Sequence, residues 1–268
     1  RDERVRRIAA NNQIKLLKSG VSILPKSLEK NHQLIMLNLR SSRSLLGTNS
    51  SIELYLSGKD ALDAMFEQIK LAKQHIHLQS YIINSDETGN RFKELLIEKA
   101  KEGVEVRVIY DDVGCWSLSS EFSNDLIKNG VEMLSFSPVR FRTPTSRLNY
   151  RNHRKILVVD GLTGFLGGVN IADRYYNGGN YPEWRDTHIK IVGESVAALQ
   201  SSFLLDRYFI INQQFNKRKK YYPVPNTEIP GFDIGGKQIY SQIITSGPDS
   251  DWASIMQCYF AAISNAKR

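Results

Sequence analysis

At 268 residues the chain is long enough to bury a full core, and 41% hydrophobic with 24% charged residues excludes a disordered or fibrous protein. A formal charge of +8 and a pI near 9.4 favour an anionic partner: nucleic acid, an acidic membrane surface or a phosphate-bearing substrate. Two cysteines, Cys115 and Cys258, exclude a disulfide framework and a cysteine zinc site, and no run of about 18 apolar residues is present to span a membrane.

The first fifty residues read as polar and irregular, with Ser41–Ser44 and Gly47–Ser51 as linker, and we take 1–51 as an N-terminal linker segment. Neither a signal peptide nor a transit peptide follows Arg1, and the missing initiator Met leads us to expect a natural N-terminus upstream. Order begins near Ile52. "IELYLSG" reads as a strand, and Leu62, Met65, Phe66, Ile69 and Ala72 recur at the spacing of one apolar helix face. "HIHLQSYII" follows as a strand. Phe92, Leu95, Leu96 and Ala100 mark a second helix ended by Gly103, and "VEVRVIY" is strand again. A short helix over 121–129 precedes the strand "VEMLSFS". This alternation predicts an α/β layered fold with a largely parallel mixed sheet flanked by helices. "GFLGGVN", "DTHIKIVG" and an amphipathic stretch from Ser195 to Phe215 continue the domain, which we bound at 52–235. The run Lys217–Lys220 reads as a solvated face, with contact to acidic lipid heads as its alternative.

The last thirty residues repeat an earlier pattern. "YLSGKDALDAMFEQIKLAKQ" (55–74) and "IITSGPDSDWASIMQCYFAAISNAKR" (243–268) share Ser-Gly and then a helix whose apolar positions match. Leu62 matches Met256, Phe66 matches Phe260, Ile69 matches Ile263 and Ala72 matches Ala266. The first copy runs on into a strand and the second stops. We therefore read 236–268 as the start of a truncated second domain, and the chain as half of a duplicated protein.

"NHRKILVVDG" (152–161) carries the chemistry. Strand parity points His153 and Lys155 the same way at one end of Ile156–Val159 and turns Asp160 the other way. The spacing HxKxxxxD is expected by chance about 0.02 times in such a composition. A phosphodiester is anionic and resists a neutral nucleophile, so its cleavage needs a cation on the non-bridging oxygens and a side chain that forms and releases a phosphoryl bond. Lys155 suits the first task. His153, neutral near pH 7 and able to form a labile phosphoramidate, suits the second. A carboxylate on the far ring nitrogen would fix the tautomer.

"NYRNHRKILVVDG", "FLGGVNIADRYY", "WRDTHIKIVG" and "VEVRVIYDDVG" together resemble the first half of a bacterial cardiolipin synthase of the phospholipase D superfamily, from about residue 52 to the end. The resemblance implies a covalent phosphatidyl intermediate on His153, phosphate contacts from Lys155 and Asn170, close backbone approach at Gly167 and Gly168, and neither metal nor other cofactor. Asp160 completes the motif and joins the candidate set, with a structural role from its parity. For the carboxylate that orients His153 we assign Asp186, with Glu183 as the weaker candidate. The implied reaction joins two phosphatidylglycerol molecules into cardiolipin and glycerol at the inner membrane, through an anchor upstream of this chain.

A second copy of the motif would supply the acid and base for the alcohols, from the same chain or a dimer partner. This chain holds one copy; the "HIK" at 188–190 has Ser195 where Asp is required. Acting alone, the fragment is expected to be inactive or nearly so. Hydrolysis of phospholipid or nucleic acid is the rival within the superfamily, and a non-catalytic lipid- or nucleic-acid-binding module the rival outside it. Nucleic acid is the weaker partner, because "KRKKYY" alone interleaves aromatic and basic residues. His75 and His77 read as packed or hydrogen-bonded rather than metal-binding, and Asp111 and Asp112 equally as site or turn residues. Trp184 and Arg185 divide between rim packing and substrate contact.

Overall fold

The computed structural model describes residues 10, 11, 13–15, 25–136, 151–179, 184–213, 218–223, 239–247, 250 and 252–267. The chain divides into two compact units, Ser50–Lys237 and a second made of Arg1–Asn49 with Gln238–Arg268. In the second unit α1 (His32–Ser41) buries Ile35, Met36 and Leu39. β1 (Gly47–Ser57) starts in this unit and crosses into the other. Among the described residues of the stretch read as linker, His32–Ser41 is therefore helix and the residues from Gly47 onward are strand. Polar side chains do not prevent a strand when they are satisfied within the sheet: Asn49 Nδ2 donates to Ile239 O at 3.2 Å, and Ser50 Oγ donates to Val192 O at 3.2 Å.

In the larger unit, α2 (Gly58–Lys70) begins where the Ser57 hydroxyl accepts the Asp60 N–H and buries Ala61, Leu62, Met65, Phe66 and Ile69. β2 (His75–Ser80) follows, and then α3 (Glu87–Lys101), capped by Asp86 on Gly89 N–H. Gly103, at φ +87°, ends that helix and leads into β3 (Glu105–Asp111). α4 (Ser120–Lys128), capped by Ser119, precedes β4 (Glu132–Phe136). β5 (Ile156–Val159), β6 (Thr163–Gly167), α5 (Asp173–Tyr176), β7 (Arg185–Gly193), α6 (Val196–Ile211) and α7 (Arg218–Tyr221) complete it. β8 (Ile239–Ser241), pairing with Gly47–Asn49, and α8 (Ser254–Asn265) belong to the smaller unit.

The sheet runs β4-β3-β2-β5-β6-β7-β1-β8. It is mixed, and its parallel pairs β2–β3 and β3–β4 cover less of it than the strand-helix alternation predicts. β5 pairs antiparallel with both β2 and β6, and β6 with β7. The reason is local: Val159 pairs with Thr163 across a connection too short for a crossover, turned by left-handed φ angles of +54° at Asp160 and +70° at Gly161.

β2 is central and buried on both faces. Ile76 and Leu78 join Leu157, Val159 and Phe165 in the core under α2 and α3, where the Phe66 and Phe92 rings lie 4.5 Å apart. α6 covers the opposite face, where Phe203 stacks on His77 at 4.5 Å. Within the amphipathic stretch read over 195–215, α6 buries Val196, Leu199, Phe203 and Leu204 and also Gln200, Asp206 and Arg207, whose polar groups find partners on the sheet, while Leu205 and Phe209 are exposed.

Candidate active site

Residues 151–155 lead into β5, and Asn152 anchors them. Its N–H donates to Asp111 Oδ2 at 3.1 Å, its Nδ2 donates to Asp206 Oδ2 at 2.7 Å, and its Oδ1 accepts the Arg154 N–H at 3.2 Å. Between these anchored neighbours His153 projects outward. Its ring lies exposed against Tyr81, centroids 4.6 Å apart at 55°, and has no hydrogen-bond partner among the described residues. Lys155 is 5% exposed; its ammonium donates to His153 O at 2.8 Å and lies 5.3 Å above the Tyr81 ring. Tyr81, the residue after β2, is thus a shared platform for the imidazole and the ammonium.

The electrostatics suit a phosphate anion. Burial depresses Lys155 to about 8, against the opposing pull of Asp186. Burial, then the neighbouring Lys155, lowers His153 below its ordinary 6.5, and Asp111 pulls it back up. The imidazole is therefore held neutral next to a cation.

The remaining candidates divide. Asp160 lies at the far end of β5 from His153, and its carboxylate accepts N–H groups of Lys73, Gln74 and His75 at 2.8–2.9 Å. That fixes the start of β2, the structural role parity predicts, and places it outside the cluster formed by His153 and Lys155. Asp186 makes no hydrogen bond to His153; it accepts the Thr187 N–H at 2.7 Å and acts on Lys155 and His188. The carboxylate whose field reaches His153 is Asp111, which also turns the chain after β3 by accepting from Val113 N and Gly114 N. Glu183 lies outside the described residues.

Asn170 is buried, with its Oδ1 accepting the Ile82 N–H at 3.0 Å and its Nδ2 donating to Tyr175 Oη at 2.7 Å. One amide hydrogen remains for a ligand. Gly167 and Gly168 serve β7. A Cβ on Gly168 would stand 2.0 Å from Asp186 Oδ1, and one on Gly167 would stand 2.4 Å from Thr187 O. Gly168 thus admits the Asp186 carboxylate and Gly167 the Thr187 and His188 backbone, a tertiary demand that spacing alone does not reveal.

His188, set aside from the sequence, is 1% exposed with both ring nitrogens unpartnered, and burial pushes it down to about 4. His75 and His77 are packed and hydrogen-bonded: Gln200 bridges them, at 3.0 Å to His75 Nε2 and 2.7 Å to His77 Nδ1. Asp112 accepts from Ser135 Oγ, and Trp184 packs on Tyr175 with centroids 4.9 Å apart. Among the described residues no three His, Cys, Asp or Glu side chains gather to hold a metal, and no helix is long and apolar enough to cross a membrane. Sequence reasoning missed Tyr81 as the platform and Asp206 altogether.

Residues 65–184 match the family model described as cardiolipin synthase, PLD-like domain. The chain is 40% identical to the major cardiolipin synthase of Bacillus subtilis over 239 residues, 89% of this chain and 48% of that protein. It is likewise 40% identical to a cardiolipin synthase of a Geobacillus species, over 90% of this chain and 47% of that one. It therefore spans about half the length of the curated relatives it matches. Among solved structures, phosphatidylserine synthase of Haemophilus influenzae aligns with a TM-score of 0.50 and 18% identity, over 74% of this chain and 46% of that one, a likeness of fold. The family match falls on the residues that hold the motif, seated in a mixed sheet between helices, and by it the chain resembles the phospholipase D-like domain of cardiolipin synthases.

Proposed function

We propose that the chain supplies one half of a phosphatidyltransferase site that joins two phosphatidylglycerol molecules into cardiolipin and glycerol at a membrane surface. The observation that carries this reading is the exposed, neutral imidazole of His153 beside the buried ammonium of Lys155. A ring nitrogen of His153 attacks phosphorus; the P–N bond forms as the P–O bond to glycerol breaks, and the departing oxygen takes a proton. The hydroxyl of a second phosphatidylglycerol then attacks phosphorus, losing its proton as the P–N bond breaks. Lys155 and the spare amide hydrogen of Asn170 neutralise the non-bridging oxygens. Asp186 supports the charge of Lys155. One phosphodiester replaces another, so no nucleotide is consumed.

The proton donor and acceptor for the alcohols belong to a second phospholipase D-like half, in the same chain or in a second copy. The repeat supports this. Leu62, Phe66 and Ile69 are fully buried, whereas their matches Met256, Phe260 and Ile263 are 68, 74 and 72% exposed on α8. That face fits a sheet of the kind that covers α2, and we take 236–268 to begin the second half.

The test is mass spectrometry of lipid products from the natural full-length protein and its His153→Ala variant on phosphatidylglycerol vesicles. Cardiolipin and glycerol, lost in the variant, support the reading. Phosphatidic acid would make water the acceptor, and the absence of any lipid product would overturn the lipid reading.

A further inference from the structure

We propose that Asp206 is the positioning residue of the site, a single buried carboxylate on α6 that grips the chain on both sides of His153. This inference rests on reading His153 as the nucleophile. Asp206 is 5% exposed on a helix that buries the apolar Leu199, Phe203 and Leu204 together with Gln200, Ser202 and Arg207. A carboxylate there is costly unless fully paired, and an apolar side chain of similar size would serve packing alone.

Its partners explain its presence. Asn152 Nδ2 donates to Oδ2 at 2.7 Å, and Arg154 Nη1 donates to Oδ2 at 2.8 Å and to Oδ1 at 3.1 Å. Gln79 Nε2 donates to Oδ2 at 2.7 Å. Asn152 and Arg154 flank His153, and Gln79 lies two residues before Tyr81, the ring on which His153 rests. One carboxylate thus ties together the segment bearing the imidazole and the strand bearing its platform.

The geometry also shows why a grip is needed. Asn152 and Arg154 both reach Asp206, whereas His153 between them is exposed. Holding both fixes the direction of its Cα–Cβ bond without touching the ring. Among the described residues the ring has no hydrogen-bond partner, and what holds its aim there is the backbone and Tyr81. Asp111, accepting the Asn152 N–H at 3.1 Å, is the second anchor of the same segment.

The experiment compares Asp206→Asn, Asp206→Glu and Arg154→Met with the full-length wild type. It measures the rate of forming the phosphatidyl-His153 adduct in a single turnover, per mole of folded protein, together with KM on phosphatidylglycerol vesicles. Misaiming an attacking atom by about 1 Å costs on the order of 100-fold. Asp206→Asn is expected to slow adduct formation roughly 10- to 100-fold with KM nearly unchanged, and Asp206→Glu to recover part of the rate. Arg154 is one-third exposed, so Arg154→Met tests the same grip without emptying a buried site. Ring NMR signals of His153 should shift in both, while those of His75 and His77 hold. Wild-type adduct rates in Asp206→Asn or Arg154→Met, with only the unfolding temperature lowered, would reduce Asp206 to a packing role and overturn the proposal. An active His153→Ala enzyme would instead overturn the nucleophile reading beneath it.

Discussion

Replacing Lys155 by Met separates what the site needs from what the fold prefers. The ammonium is 5% exposed, and its pKa falls from 10.5 to about 8 chiefly through burial. That depression corresponds to roughly 3 kcal/mol against the charged form, nearer 2 kcal/mol once screening by water at the exposed His153 edge is allowed for. The sign follows from proton counting. Between pH 8 and 10.5 the unfolded chain still holds the Lys155 proton and the folded chain has released it, so folding stability rises with pH across that window. Below pH 8 the penalty is present in full. Lys155→Met removes it at every pH, and loses the hydrogen bond to His153 O, worth about 1 kcal/mol net.

The variant is therefore expected to be inactive yet more stable at pH 7 by about 1 kcal/mol, or about 2–4 °C in a domain of this size. The decisive quantity is the difference between the two proteins in urea or thermal unfolding at pH 7, 8, 9 and 10.5. Groups common to both cancel in it, and wild type should gain roughly 2 kcal/mol on the variant as pH rises. A stability difference that stays constant from pH 7 to 10.5 would refute the reasoning, because it would mean that the folded chain does not perturb this lysine.

Three further outcomes are expected. In the full-length enzyme, kcat/KM should fall on the acid side only below the ordinary imidazole value of 6.5, since His153 must be neutral and its pKa is lowered. It should fall on the alkaline side near pH 8 as Lys155 loses its charge, and a pH-rate profile reads both limbs. Gly168→Ala drives a Cβ to 2.0 Å from Asp186 Oδ1, so the carboxylate must move. The expected cost is about 1–3 kcal/mol in the unfolding free energy, and the alkaline limb should move to lower pH as Lys155 loses its counter-charge. Asp160→Ala strips three N–H groups of their acceptor and leaves a left-handed residue at φ +54°, at a cost of about 1–3 kcal/mol. Asp160→Asn should fall between, and urea midpoints order the three.

What could be read from the chain was what repeats locally. Leu62, Phe66 and Ile69 lie at i, i+4 and i+7, and α2 buries all three. His153 and Lys155 lie two apart, and both meet the same tyrosine ring. The antiparallel turn from β5 to β6 was also legible, since the few residues between two apolar runs at 156–159 and 163–167 leave no room for a crossover.

The carboxylates were not legible in this way, and the reason is physical. A counter-charge is chosen by distance in space, and the groups acting around His153 come from Asp111, 41 residues before Asn152, and from Asp206, 52 residues beyond Arg154. In sequence Asp206 is one acid in a helix, which by residue type belongs on the wet face; the donors on Asn152, Arg154 and Gln79 satisfy it inside. The glycine pair follows the same logic. The resemblance implies backbone approach to a phosphate there, while the groups packed against the pair, the Asp186 carboxylate at Gly168 and the Thr187 and His188 backbone at Gly167, come from a strand that returns to the sheet later in the chain. Residue type and spacing therefore pick out the imidazole and its neighbouring cation, while the groups that hold and charge them are specified by the fold.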